Sequence, residues 1–213
     1  MKSKKISNYF CLSGIIALVF YLLHDIVGAM HYPGYDWISQ AVSDLTATTA
    51  PSFVVASELS SIYGIFSCLC CAMVCVVVQD RANRVLRLGV YLFTAMSFIS
   101  AVGYALFPLS ESGYAGSFQD IMHLHVVTAL VVVLSIASLV LITVGGWKSK
   151  GDKALAVMAL IALGFMFLGV IGVGVVPAAY FGIPERFSVY SAVLFTAVLG
   201  VWGSLEGKKC MKV

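Results

Sequence analysis

Six apolar runs divide the chain, near residues 9–30, 57–79, 86–107, 121–144, 154–177 and 187–205. Each approaches the roughly 20 residues that a helix needs to cross the hydrocarbon core of a bilayer. The run 126–140 has none of the alternation of a barrel strand, so helices are expected. Composition agrees. Of 213 residues, 61% are apolar and 11% charged, where soluble domains carry about a quarter charged. The expected fold is therefore all-α: a polytopic membrane bundle of six transmembrane helices. It fills a single transmembrane domain over 1–213, with a structured external loop at 31–56 and no separate soluble domain.

The basic residues set an orientation. Lys2, Lys4 and Lys5 precede the first run, and Arg81, Arg84 and Arg87 join the second to the third. Lys148, Lys150 and Lys153 join the fourth to the fifth, and Lys208, Lys209 and Lys212 follow the sixth. Arg186 alone falls on the other side. The positive-inside rule then puts both termini in the cytoplasm. The formal charge of +3 sits at segment ends, which argues against a nucleic-acid partner. The first run has the basic start of a signal peptide. It is longer than a typical h-region and lacks a small-x-small cleavage site, so it is expected to be retained.

Chemistry concentrates on the side opposite the lysines. All four His lie there, with Asp25, Asp36, Asp44, Glu58, Glu111, Asp120 and Glu185. His24 and Asp25 stand inside the first run, where polar groups are costly and usually face the bundle interior. His24, Gly28 and His31 share one stripe if that helix continues. Asp120 and His123 share a face, whereas His125 is turned roughly 200° away from His123. The plain role for Asp120 is a helix N-cap, and for His24 and Asp25 an interhelical hydrogen-bonded pair. Glu185 and Arg186 read plainly as a cap and a headgroup anchor. The sharper role for Arg186 is to grip the phosphate of a lipid.

The candidates follow. His24, Asp25, Asp120 and His123 are the acid–base candidates. Asp44, Glu58, Glu185 and Arg186 are the ligand-binding ones. His24, Asp120 and His123 together would supply three ligands to a divalent metal, although no zinc motif such as His-Glu-x-x-His is present. No cofactor is required by any motif. Gly-rich phosphate loops, a G-x-S-x-G elbow and a haem attachment motif are all missing.

Cys68 and Cys71 form a C-x-x-C, with Cys70 and Cys75 beside them. Mid-bilayer burial disfavours a reactive thiolate. Ser57, Ser61, Gly64, Cys68 and Cys75 read instead as a small-residue packing stripe, as do Gly164, Gly169, Gly172 and Gly174. Cys11 and Cys210 fall near the basic side, where palmitoylation is an option.

Several outer motifs carry a family likeness. They are His31-Tyr32-Pro33-Gly34, Ser43-Asp44-Leu45 with Ala50-Pro51, Phe107-Pro108-Leu109, Asp120 with His123, and Gly182 through Glu185-Arg186. Through them the chain resembles the bacterial and archaeal membrane proteins catalogued as domain of unknown function 998. The resemblance implies six helices and a prokaryotic cell membrane, and no activity. Ser43-Asp44-Leu45 leading to Pro51 is also similar to the loop of damage-regulated autophagy modulators and lipid-anchor remodelling proteins. Ser52 follows Pro51, where an acidic residue is expected in that group. That likeness leans toward lipid handling.

Three functions fit these residues. The first is binding or handling of a lipid headgroup or small polar ligand in an outer pocket of His24, Asp44, Asp120, His123 and Arg186. The second is a membrane hydrolase or transferase using His and Asp, or a metal. The third is a transporter with His24 and Asp25 as relay, which the scarcity of ionisable residues in the inner halves of the spans opposes.

Overall fold

The computed structural model describes residues 6–79 and 83–209, the last three as backbone only. Lys2, Lys4, Lys5, Arg81, Cys210 and Lys212 lie outside the described residues, as do the side chains of Lys208 and Lys209.

Six helices are long and apolar enough to cross a membrane: α1 (Ile6–Met30), α2 (Phe53–Val78), α3 (Arg84–Leu106), α4 (Phe118–Lys148), α5 (Lys153–Val175) and α6 (Gly182–Glu206, with its backbone continuing helical). A helix satisfies every backbone group within itself, which is what the bilayer interior demands. Consecutive helices pack side by side and antiparallel, and α6 returns to close against both α1 and α2. The protein is an all-helical, multi-pass membrane protein.

Local sequence explains the helix starts. Asn83 caps α3, its Oδ1 accepting from the Leu86 N–H at 2.8 Å, while its Nδ2 donates to Gly145 O at 2.6 Å and so ties α3 to α4. Ser117 opens α4 in a reciprocal capping box with Asp120. α6 begins at Gly182, five residues before the apolar run that marks it in sequence. Pro184 suits a first turn, because its missing N–H would have no partner inside the helix. Gly169 of α5 lets α6 approach closely: a Cβ there would meet the backbone and side chain of Ser188 and the Pro184 carbonyl. Gly172 likewise faces Pro184, whereas Gly164 and Gly174 face open space and take no part in this packing.

The half of the bundle nearer the lysines is sealed by apolar side chains, among them Cys71, Val74, Phe93, Leu139, Phe195 and Leu199, all buried. Phe93 and Phe195 meet edge to face at 5.3 Å. Cys11 is buried in the same core, and Cys70 donates from its Sγ to Cys11 O at 3.1 Å. The cysteines are thus packing residues and free thiols.

The opposite end carries the long connection 31–52, and is termed the loop end. A short interfacial helix is expected near 37–45. The structure has a 3₁₀ turn only at Val42–Thr46, and residues 37–40 form a turn closed by Gln40 N–H to Asp36 O at 2.8 Å. The cause is Asp36, whose carboxylate accepts from Ile38 N–H (3.0 Å) and Ser39 Oγ–H (2.7 Å), the local competition that diverts a backbone from a helix. Val42 and Leu45 are buried with Tyr21, Ala56 and Val193, so the turn plugs the mouth of the bundle.

Candidate ligand site at the loop end

Arg186, in the first turn of α6, organises this end. Its Nε donates to Asp25 Oδ2 at 3.2 Å and its Nη2 to Asp25 Oδ1 at 2.9 Å, a bidentate pair between α6 and α1. Nη1 donates to the carbonyls of Trp37 and Gln40 at 3.0 Å each and of Gly182 at 3.2 Å. Nη2 also donates to Tyr35 Oη at 2.8 Å. All five guanidinium N–H groups therefore have protein acceptors. The donors that would grip a lipid phosphate are thus engaged within the protein.

The same contacts clamp residues 35–42 to α6. Tyr35 Oη–H donates a hydrogen bond to Ala41 O at 2.7 Å, and burial pushes the Tyr35 hydroxyl well above its ordinary pKa against the pull of Arg186. Gly182 N–H donates to Ile38 O at 2.9 Å. Gly182 must be glycine, since a Cβ would collide with the Trp37 and Gln40 carbonyls. Glu185 accepts from Val42 N–H at 3.2 Å. Asp36, exposed at the top of the turn, is held below the usual carboxylate range by its bonds from Ser39 and Ile38.

Two further acids hold loops. Asp44 accepts from Ala41 N–H (3.0 Å) and Gly113 N–H (2.8 Å), joining the 31–52 and 107–117 connections. Asp120 accepts from the Ser110 N–H and hydroxyl at 2.8–2.9 Å and from Ser117 N–H at 3.1 Å. Ser117, not Asp120, is the N-cap. Asp120 is the third helical residue of the box.

His123 Nδ1 is bonded to Phe107 O at 2.7 Å, and its ring lies 4.7 Å from Tyr104. It stands in a π turn, Met122–Val127, and His125, on the opposite side of the helix as its spacing predicts, is exposed against Tyr114. His31 ends α1 exposed, bonded to Val27 O, and does not continue the His24 stripe. Glu58 is exposed on α2, apart from the buried acids. Among the described residues no three His, Cys, Asp or Glu come together to hold a metal ion. The set His24, Asp120 and His123 is therefore not assembled: each of the last two is committed to its own loop.

His24 differs from all of these. It is 3% exposed, and neither ring nitrogen has a hydrogen-bond partner. Its ring meets Tyr21 edge-on at 5.3 Å. Tyr21 in turn packs against Tyr63 of α2 at 4.8 Å and Tyr190 of α6 at 5.7 Å. Tyr190 Oη donates to Asp25 Oδ2 at 2.7 Å. The tyrosines are the residues that sequence reasoning missed. The available signal was Tyr21 at three before His24, hence on its helix face.

On the outer side of Tyr190 lies an apolar groove of about 440 Å³. It runs between α5 and α6 and is lined by Ile183, Phe187, Leu194 and Phe165, with Trp37 and Ile38 overhanging it and Arg186, Tyr190 and Ser191 along its wall. Phe165 and Phe187 stack at 5.6 Å across it.

These features define a class: a six-helix integral membrane protein whose polar interior is confined to one end, beneath a clamped loop. A profile described as "Protein of unknown function (DUF998)" matches residues 15–202, and the chain belongs to that family. No curated protein and no solved structure matches it.

Proposed function

We propose that this protein binds an amphipathic lipid at its loop end, with the lipid chain in the α5–α6 groove and the polar end against the Trp37–Gln40 turn. One observation carries the reading: the groove is almost wholly apolar along its length and meets the site's most polar cluster, Arg186, Tyr190 and Asp25, at one wall. On the lipid-facing side of two membrane-spanning helices, the molecules available to fill such a groove are lipids. Apolar grooves with a few convergent polar groups are the usual form of a small-molecule site.

The distribution of basic residues supports a loop end outside the cytoplasm with both termini within it, and the family likeness supports a prokaryotic cell membrane. A transporter reading draws no support from the sealed core around Phe93 and Phe195. Catalysis draws none from His123 and Asp120, which are committed to Phe107, Ser110 and Ser117.

Native mass spectrometry of the purified protein tests the proposal. The wild type is expected to retain one lipid through detergent exchange. Leu194→Trp, which fills the groove, is expected to lose it while remaining folded. Equal lipid retention by a folded Leu194→Trp variant would overturn the reading.

A further inference from the structure

Three observations at the loop end have no role in the clamp. The first is His24, buried with both ring nitrogens unpartnered. Buried polar groups are nearly always paired, because an unpaired one keeps the full cost of leaving water. An imidazole with neither nitrogen paired therefore marks a place where a partner is missing. The second is charge. Asp25 and Asp44 both act electrostatically on Glu185 across this interior, and among the described residues Arg186 is the one Lys or Arg at this end. Asp25 is matched by Arg186. Glu185 and Asp44 accept only backbone N–H groups in the bonds described above. The third is aromatic. Tyr21 packs edge-on against His24, and Tyr63 and Tyr190 pack on Tyr21 in turn.

We propose that His24, Glu185 and the Tyr21–Tyr63–Tyr190 cluster form a binding site for a small organic ammonium group beneath the Val42–Thr46 turn. A neutral imidazole offers one acceptor nitrogen to an ammonium N–H. Glu185 offers the compensating charge. Tyrosine rings attract cations through their faces. An anionic headgroup fits poorly, since the carboxylates repel it and the Arg186 donors are taken. Tyr190 stands between this interior and the groove: its ring packs on Tyr21 and its side chain lines the groove. An ammonium reaching the site on a lipid would pass Tyr190.

The inference rests on the lipid reading only for the source of the ammonium, so the test separates the two. The protein is purified in detergent and its melting temperature is followed with ethanolamine, choline or sodium chloride. It is then reconstituted in nanodiscs of phosphatidylethanolamine or of phosphatidylglycerol. The variants are His24→Leu and Glu185→Gln. Ethanolamine is expected to raise the melting temperature of the wild type, and His24→Leu to weaken that response about tenfold or more in ligand concentration, the loss that goes with one hydrogen bond to a charged group. Choline, whose nitrogen carries no hydrogen, is expected to depend on Glu185 and not on His24. His24→Leu is expected to melt higher than the wild type without ligand, so a failure to fold is not mistaken for a failure to bind. Stabilisation by phosphatidylethanolamine over phosphatidylglycerol identifies a lipid as the source, and a response to the free amines alone identifies a soluble one. Both support the ammonium site. Equal stabilisation by the two lipids, with no response to free amines, keeps the groove and overturns the ammonium site. An equal response to sodium chloride, or an unchanged ethanolamine response in His24→Leu and Glu185→Gln, overturns it as well.

Discussion

Arg186 and Asp25 stand 161 positions apart in the chain and meet in a two-point ion pair, Nη2 to Oδ1 at 2.9 Å and Nε to Oδ2 at 3.2 Å. Both side chains are mostly shielded, at 14% and 7% exposure. Breaking such a pair strands a charge in a poorly solvated place. Asp25→Asn or Arg186→Gln alone is expected to destabilise the protein by about 3–5 kcal/mol. The double variant should cost clearly less than the sum. Chemical or thermal unfolding of the four proteins of the cycle checks this, and additive effects would mean the two residues do not act as a pair.

Arg186→Lys should not be conservative. An ammonium has three donors and no fork, so it cannot serve Asp25, Tyr35 and the Trp37 and Gln40 carbonyls together. Amide exchange at residues 35–42 is expected to quicken, while exchange in the core around Phe93 stays as it is. Unchanged protection of 35–42 would contradict the clamp.

How far these relationships can be read in sequence differs by kind. The six spans were readable because the bilayer imposes one length and one backbone solution on each. Asp25 is visible as a charge inside the first run and Arg186 as a lone basic residue at the start of the sixth, but nothing in the chain gives the rotation of α1 against α6, so their pairing is not. Asp120 was assigned to the right helix end and to the wrong position in it. The box Ser117-Phe118-Gln119-Asp120 was there to be read, and Asp120 drew attention only because it carries the charge. The tyrosine cluster was hidden in a different way: in an apolar count Tyr21, Tyr63 and Tyr190 simply add to the spans. The opposed directions of His123 and His125 follow from helix spacing, but the π turn at 122–127 has no sequence signature.

Gly182→Ala is expected to cost about 1–3 kcal/mol, as overpacking does when backbone must move. The new Cβ meets the Trp37 and Gln40 carbonyls, which are the acceptors of Arg186. Gly164→Ala, facing open space on α5, serves as the control and should melt like the wild type. A comparable loss in both would point to helix-wide effects in place of a contact at Gly182.

Acid should loosen the Asp36 turn only below the ordinary carboxylate range. The folded pKa of Asp36 is depressed below the ordinary 3.8 by Ser39 and Ile38, so its contribution is full above that value and is lost as pH falls through the folded pKa. Trp37 fluorescence, recorded with Trp147 and Trp202 replaced by Phe, is expected to hold steady down to about pH 4 and to change below it. In Asp36→Asn that transition should be gone. A transition near neutral pH that survives Asp36→Asn would assign it to another group.

The central claim is that the α5–α6 groove is a lipid site, and a density map of the protein in lipid nanodiscs tests it most directly. The account predicts continuous chain-like density along Leu194 and Ile183, beside the stacked Phe165 and Phe187 rings, ending against Trp37, Arg186 and Tyr190. A well-resolved map in which the groove holds no chain-like density would contradict it.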